Sequence, residues 1–266
     1  MNREPTNPPR DYRLRLYEAY SANFGEGKRF DPGVQFRQYE TCYGSMLPGV
    51  NSAVGDLGCG KGEWLAWLQT KGFGNLWGAD WSAEDAAIAR SHSPGISIEE
   101  GDILRKLREN RGRFDLLHAK DVIEHLRPDE LFEFLDACRF ALKPGGALWL
   151  LTYNAQSPFA NVTRYGDFTH EIGLTPSSMG QVLSAAGFTV ERVNGIHVCP
   201  PTPGGIARKL LWKMLTPFFR LVIKARHGGA GSAGSFDALA TEPDIFAIAR
   251  SPRAQDGSGA KLPAPA

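Results

Sequence analysis

Three glycines alternate with other residues in the stretch VGDLGCGKGEW, residues 54–64. Gly58, Gly60 and Gly62 stand where an apolar, strand-like segment ends and a helix-like segment begins. Glycine adopts backbone conformations that other residues avoid and lets a ligand come close to the main chain. The first turn of a helix also offers unpaired N–H groups. The stretch therefore predicts a strand, a tight turn and a helix whose N-terminus faces a ligand.

Apolar segments of strand length alternate with helix-like segments on both sides of this turn. Such alternation requires right-handed crossovers and predicts an α/β fold with a doubly wound, mostly parallel sheet. Helices are predicted over 62–71, 83–90 and 129–142, and around 34–46. The predicted strands are 52–58, 75–81, 96–102, 114–122 and 147–154.

The last third of the chain has a different pattern. Thr175, Pro176 and the serines that follow begin a predicted helix that Gly187 ends. Residues 189–201 and 244–252 read as two further strands, isolated by Pro and Gly from the segment between them. Late strands of this kind predict an antiparallel last strand at the edge of the parallel sheet.

Composition narrows the class of protein. Charged residues make up 22% of the 266 residues and the formal net charge is +1, so nothing in the global balance predicts a nucleic-acid partner. The four cysteines are widely spaced, which argues against a zinc site or a disulfide framework and suits a reducing compartment. The N-terminal residues lack the apolar core of a signal peptide, and no stretch approaches the ~18 apolar residues of a membrane span. We therefore expect a cytoplasmic protein.

Acidic residues follow the first three predicted strands. Asp56 precedes the first glycine by two positions, where it would repel a pyrophosphate but suit an ammonium or sulfonium group. Glu63 stands where G-x-G-x-x-G requires its third glycine. Asp80 ends the second strand, where an acid can accept from both ribose hydroxyls, as in NAD-binding proteins. Asp102 can accept from an adenine amino group, with Ile103 against the ring.

Taken in order, these pieces resemble the class I S-adenosylmethionine-dependent methyltransferases. The resemblance covers roughly residues 50–190 and includes D-x-G-x-G-x-G at 56–62, FDLLHAKDVIEHL at 114–126 and LKPGG at 142–146. It implies a Rossmann-like fold, S-adenosyl-L-methionine as cofactor, and close approach of Gly58 and Gly60 to its methionine part. The predicted cofactor-binding residues are Asp56, Gly58, Cys59, Gly60, Asp80, Trp81, Asp102, Ile103 and Lys120.

The resemblance also implies an organisation of the chain. We expect one methyltransferase domain over 11–250, with a disordered N-terminus at 1–10 and a disordered tail at 251–266. Within the domain we expect four parts: a helical lid at 11–48, a cofactor-binding core at 50–155, an acceptor-side segment at 156–200 and a basic helical insertion at 204–236.

Other interpretations of the glycine turn remain open. The glycines can be a steric necessity, and Asp56 or Asp80 can only cap a helix. An NAD-dependent oxidoreductase is disfavoured by Asp56 and Glu63. A cofactor-binding module without turnover is a further alternative.

Two histidines are candidate general bases for a hydroxyl acceptor. His125 follows the fourth strand, and His170 lies after the fifth, so both are expected at the carboxyl edge of the sheet, where open α/β sheets bind ligands. We favour His170, oriented by Asp167. The alternatives are that His125 caps a helix or packs under the fold, and that 164–176 is a polar connector.

The segment from 151 to 188 resembles a bacterial methyltransferase subgroup associated with polysaccharide, glycolipid or decorated-sugar biosynthesis. In that resemblance an acceptor pocket is lined by Asn154, Tyr165, Asp167, His170 and Glu171. The predicted reaction is methylation of a hydroxyl on a sugar or glycan precursor. N-methylation of an aminosugar, where these residues only position the amine, is the alternative. We predict no metal site, because no D-x-D or metal-ligand cluster is visible.

Residues 204–226 interleave apolar side chains with six Lys or Arg and contain no acid. A helix of this kind can lie on an anionic membrane surface, which suits a lipid-linked acceptor and a location at the inner membrane surface. The alternative is packing on the domain or across a homodimer. Pro217 predicts a kink or a split in this helix.

Overall fold

The computed structural model describes residues 12–17, 31–199, 201–227 and 240–253. Two compact units divide the chain, residues 1–31 and residues 32–266. In the first unit the described helix is α1 (Tyr12–Tyr17). The predicted disorder at 1–10 falls outside the described residues, as do most of the predicted tail and the end of the basic insertion.

The second unit alternates strands and helices along the chain. The first half contains α2 (Pro32–Tyr43), β1 (Val54–Leu57), α3 (Glu63–Thr70), β2 (Leu76–Asp80), α4 (Ala83–His92), β3 (Ser97–Glu100) and α5 (Ile103–Arg108). The second half contains β4 (Phe114–Lys120), α6 (Pro128–Ala141), β5 (Leu142–Tyr153), α7 (Ala160–Arg164), α8 (Pro176–Ala185), β6 (Thr189–Ile196), α9 (Pro203–His227) and β7 (Asp244–Arg250).

The seven strands form one sheet in the order β3-β2-β1-β4-β5-β7-β6. Neighbours from β3 to β5 pair in parallel. The last strand, β7, runs antiparallel to both β5 and β6. The predicted α/β class, with a mostly parallel sheet and an antiparallel last strand, is confirmed.

Apolar side chains on the two faces of the sheet form two clusters. One is built around Leu57, Leu117 and Phe134, and the other around Trp67 and Trp149. β1 is buried at every position, as expected for a central strand covered on both faces. Because helices cover both faces of the sheet, a ligand can bind only at the edge where the parallel strands end.

The predicted lid at 11–48 is divided between the two units, because the boundary lies between Asp31 and Pro32. In the second unit, Tyr43 at the end of α2 is only 2% exposed and belongs to the core cluster of Trp67 and Trp149. Tyr43 is therefore a residue of the core. The lid itself stays a prediction.

Two local features differ from the expectation. β5 already begins at Leu142, whereas the predicted strand begins at residue 147, and it starts next to a register shift against Phe114 and Leu116. Gly145 accommodates this irregularity, because its φ of +76° lies in a region that favours glycine. In α9 the helix continues through Pro217 without a split. Among the described residues, no helix has the length and apolarity needed to cross a membrane.

Candidate active site

The glycine turn after β1 lies at the carboxyl edge of the sheet. Gly58 has φ +67° and Gly60 has φ +51°, a region that favours glycine. A Cβ on Gly58 would lie 2.6 Å from Cγ2 of Val122, so the turn packs tightly against the segment after β4. A Cβ on Gly60 would meet nothing within 4 Å. The backbone of Gly60 therefore faces open space, as a ligand-binding turn requires.

Asp80 holds the glycine turn against the end of β2. Its Oδ2 accepts from the backbone N–H of Gly60 at 2.7 Å, and its Oδ1 accepts from the N–H of Ser82 at 2.8 Å. Burial raises the pKa of this carboxyl above its usual range. Trp81 beside it is 51% exposed, an unusual position for an indole unless it covers a ligand.

Asp102 begins α5, after β3. Its Oδ1 accepts from the N–H of Leu104 at 2.9 Å, and the residue as a whole is exposed. Ile103 is partly buried against the core. Asp102 thus caps α5, and its carboxylate keeps further lone pairs for a ligand.

Asp56 does not point into open space. It is 4% exposed, and its Oδ1 accepts from Nδ1 of His118 at 2.8 Å. The His118 ring stacks on Trp64, with centroids 4.1 Å apart, and its Nε2 lies 3.3 Å from the hydroxyl of Tyr43. This buried network was not recognised in the sequence, where His118 is one of several residues of β4. Direct contact between Asp56 and the cofactor's ammonium finds no support in this geometry.

Cys59 and Lys120 were also predicted near the cofactor. The Cys59 side chain is buried against Gly78, and its N–H donates to the carbonyl of Ala79 at 3.0 Å. Lys120 forms an ion pair with Asp121 at the end of β4. Both groups are thus used within the fold, and their contact with a cofactor stays a prediction.

Side-chain hydrogen bonds fix the position of the loop between β5 and α8. Asn154 is completely buried; its Nδ2 donates to the carbonyls of Ala240 and Glu242, at 3.2 and 3.0 Å. Arg164 donates through its guanidinium to the carbonyls of His170 and Glu171. Asn154 therefore shapes the loop from inside and does not line an acceptor pocket. Tyr165, by contrast, is 75% exposed.

His170 is held in one tautomer. Its Nδ1 lies 2.9 Å from the carbonyl oxygen of Thr163, which can only accept, so Nδ1 carries the proton. In the neutral ring the lone pair then belongs to Nε2. The ring also stacks on Tyr153, with centroids 5.5 Å apart. Fixed orientation with an Nε2 lone pair is what a general base requires.

The predicted orientation of His170 by Asp167 stays a prediction; the carboxylate of Asp167 is joined through Thr169 to His125. Its Oδ1 accepts from both the N–H and the hydroxyl of Thr169, at 2.9 and 2.6 Å. Because that hydroxyl donates to Asp167, it accepts from Nδ1 of His125, at 2.8 Å. This relay cannot be recognised from sequence, because nothing distinguishes Thr169 there from an ordinary loop residue.

The surroundings make His125 a weak base. Burial, with a smaller contribution from His170, lowers the pKa of His125 to about 4. The two rings have centroids 4.8 Å apart. At neutral pH His125 is thus uncharged and binds a proton poorly, which leaves His170 as the stronger candidate of the pair.

Glu124 was missed altogether. It is 4% exposed, and its Oε2 has no hydrogen-bond partner among the described residues. Burial, followed by the charge of Asp121, raises the pKa of this carboxyl to about 8. One ligand atom each from Glu124, His125 and His170 lie within 4.8 Å of one another. These three residues form a candidate cation site. No such cluster was expected from sequence, because His170 lies far from Glu124 and His125 along the chain.

The sheet order, the glycine turn with open space over Gly60, and the acid at Asp80 define a class I methyltransferase. A match to a family model described as "Methyltransferase domain" covers residues 47–193, more than half of the chain. The chain belongs to this family. Residues 47–193 form an S-adenosylmethionine-dependent methyltransferase domain, and the predicted enzyme class and cofactor are confirmed at this level.

Curated relatives extend the comparison. The chain is 29% identical over 179 residues to the mitochondrial ubiquinone biosynthesis O-methyltransferase of Rattus norvegicus, covering 59% of the chain and 49% of the relative. It is 27% identical over 161 residues to the ubiquinone biosynthesis O-methyltransferase of a Chelativorans species, covering 55% and 62%. The chain thus spans about half to two thirds of these relatives, and they do not support the predicted polysaccharide subgroup.

Solved structures share the fold at low identity. A methyltransferase from Archaeoglobus fulgidus matches with a TM-score of 0.61 and 18% identity, covering 88% of this chain and 99% of that one. The phosphoethanolamine N-methyltransferase 2 of Haemonchus contortus, solved with S-adenosyl-L-methionine, matches with a TM-score of 0.57 and 18% identity, covering 89% and 57%.

Proposed function

We propose that this protein is an O-methyltransferase that transfers a methyl group to a hydroxyl of a small molecule. The observation that carries the proposal is the fixed tautomer of His170, which keeps the Nε2 lone pair on the loop at the carboxyl edge of the sheet. A neutral amine needs no such base, whereas a hydroxyl must lose its proton. The relatives bearing the name O-methyltransferase support the same reaction.

The residues of the glycine turn and its neighbours are proposed to hold the cofactor. The open face of Gly60, the carboxylate of Asp80 and the exposed indole of Trp81 fit the methionine, ribose and adenine parts in turn, with Asp102 and Ile103 at the far end. When bound, S-adenosylmethionine supplies an electrophilic methyl group. An enzyme of this kind contributes to the rate mainly by holding donor and acceptor next to each other in the orientation that the transfer requires.

His170 is proposed to take the proton of the acceptor hydroxyl on Nε2. The Thr163 carbonyl stabilises the imidazolium that results, because Nδ1 keeps donating to it throughout. His125 and Glu124 are proposed to position the acceptor, since His125 is uncharged at neutral pH and the Glu124 carboxyl, with a pKa of about 8, can donate a hydrogen bond.

The acceptor is proposed to carry its hydroxyl on a group with a flat, apolar face, such as the C–H face of a sugar ring or a phenol ring. The loop between β5 and α8, here called the acceptor loop, has exposed aromatic side chains that would contact such a group. They are Phe159, Tyr165 and Phe168. A sugar hydroxyl of a glycan or glycolipid precursor is the first candidate, with Tyr165 as a flat platform for the ring. A phenolic hydroxyl is the second, favoured by the relatives named for ubiquinone biosynthesis.

A screen with S-adenosylmethionine labelled in its methyl group tests the proposal. The acceptors offered are nucleotide sugars, lipid-linked sugars, lipid-substituted phenols and the matching aminosugars. Mass spectrometry of the product then locates the label on oxygen or nitrogen. We expect labelled oxygen. Turnover of the aminosugars alone, with label on nitrogen, would show that the residues only position an amine.

A further inference from the structure

An apolar stripe runs along the outer face of α9. Eight of its large apolar side chains are between 40% and 77% exposed. They are Ile206, Leu210, Leu211, Met214, Leu215, Phe218, Leu221 and Val222. Soluble proteins rarely expose so many neighbouring apolar residues unless the patch contacts a partner or a membrane.

The stripe is not the face by which α9 packs on its unit. Trp212 and Phe219 cover the inner face: Trp212 contacts the ring of His197, with centroids 6.0 Å apart, and Phe219, at 5.5 Å. Arg220 pairs with Glu242 at 3.7 Å. Since each residue turns the helix by about 100°, Leu210 and Leu221 point away from Trp212. The helix is therefore already docked, and its outer face remains apolar.

Positive charge borders the stripe. Lys213 and Lys224 are separated by three helical turns and lie on the same flank, between the inner face and the apolar one. Arg208 and Lys209 add charge near the start of the helix, and α9 contains no acidic residue. Apolar side chains flanked by cations are the pattern of a helix that lies in the interface of an anionic bilayer.

Exposed apolar side chains also lie on the loop between β5 and α8, which contacts α9. Phe219 of α9 contacts Phe159 at the start of the acceptor loop, with centroids 6.2 Å apart. On that loop Phe159, Val162 and Phe168 are 70%, 74% and 78% exposed. The loop that carries His170 therefore contacts α9 through Phe219, whose ring neighbour Phe218 belongs to the stripe. The family match ends at residue 193, before α9 begins.

We propose that α9 and the exposed residues of the acceptor loop bind the surface of an anionic lipid bilayer. The helix lies along the bilayer with its stripe inserted; although it is 25 residues long, it is not apolar enough to cross it. A second copy of the chain fits less well, because a two-fold interface would bring two acid-free, basic helices together. This proposal does not depend on which atom the enzyme methylates.

Vesicle flotation tests the proposal with the full-length protein. The probes are vesicles of pure phosphatidylcholine and of phosphatidylcholine mixed with phosphatidylglycerol. We expect the wild type to float with the anionic vesicles and to be released as salt is added. Leu210→Gln combined with Leu221→Gln should lower binding about tenfold or more, through lost apolar burial. Lys213→Gln combined with Lys224→Gln should lower it mainly at low salt.

Phe132→Gln is the matched control, since it removes a similarly exposed apolar side chain from α6. This variant should float as the wild type does. Sedimentation of wild type and the Leu210/Leu221 variant, without lipid, completes the experiment. The proposal is overturned if the wild type does not float, or if the Leu210/Leu221 variant floats equally well. A wild-type dimer that this variant converts to a monomer, without any vesicle binding, would instead make the stripe an interface between copies.

Discussion

Asp167 is joined to His125 through the hydroxyl of Thr169, with hydrogen bonds of 2.6 Å and 2.8 Å. The acid therefore positions His125, while His170 takes its orientation from the carbonyl of Thr163. Two adjacent imidazoles thus have two different supports. This division underlies the proposed roles, with His170 removing a proton and His125 shaping the place where the acceptor lies.

Breaking the hydrogen bonds from Asp167 through Thr169 to His125 should lower the stability of the fold more than the catalytic activity. Thr169→Val removes the hydroxyl and leaves Asp167 and His125 buried without that partner, at about 1–3 kcal/mol of unfolding free energy. Thr169→Ser keeps the hydroxyl and should lose much less. Denaturant unfolding of both variants measures the difference. Equal losses in the two variants would mean that the Thr169 methyl group, and not the relay, matters.

Gly60 and Gly72 form a matched pair for testing the cofactor turn. Both have positive φ, and a Cβ on either would meet nothing within 4 Å. Substitution by alanine should therefore strain the backbone similarly, by about 1 kcal/mol. Only Gly60→Ala should weaken the binding of S-adenosylhomocysteine, because its Cβ would occupy the proposed cofactor space. Calorimetry compares the two, with NAD as the contrasting ligand. An equal effect of both substitutions on affinity would move the cofactor away from Gly60.

The buried carboxyl of Glu124 should make stability depend on pH. Its pKa is raised from 4.5 to about 8, so the folded state favours the protonated form. The corresponding stabilisation is complete below pH 4.5 and is lost as the pH rises towards 8. Glu124→Gln mimics the protonated form and should gain Tm relative to the wild type over this range. A difference in Tm that stays constant with pH would contradict the raised pKa.

A divalent cation at Glu124, His125 and His170 has to displace the Glu124 proton. Zn²⁺ binding should thus become tighter as the pH rises through about 8, the pKa of that carboxyl, with release of a proton. Glu124→Gln should weaken it. Because Zn²⁺ would also use the lone pair of His170, we expect it to inhibit turnover. Activity that requires an added cation, and disappears with a chelator, would contradict the role of His170 as a free base.

The fold was readable from sequence because its signals are local. A strand pattern followed by glycine and a helix pattern predicts β1 and α3 whatever the rest of the chain does, and repetition of the pattern predicts the parallel sheet. The start of β5 at Leu142 was missed, because a proline and two glycines normally indicate a turn.

The site was less readable because its contacts join distant segments. The hydrogen bond of Asp56 with His118 and the proximity of Glu124 to His170 depend on strand order and on the path of the loop, which no short motif encodes. Asn154 was expected to face the acceptor, since polar residues after a strand often do. It instead satisfies the carbonyls of Ala240 and Glu242, a segment that the sequence did not connect with it.

The most direct test of the account is methyl transfer by His170→Ala, measured with the acceptor found in the screen and beside cofactor affinity. We expect a loss of about 10²–10⁴ in kcat, the usual contribution of a general base. Affinity for S-adenosylhomocysteine should be unchanged, since His170 is not among the proposed cofactor residues. Near-normal turnover in this variant, with folding and cofactor binding intact, would contradict the proposed proton transfer to Nε2.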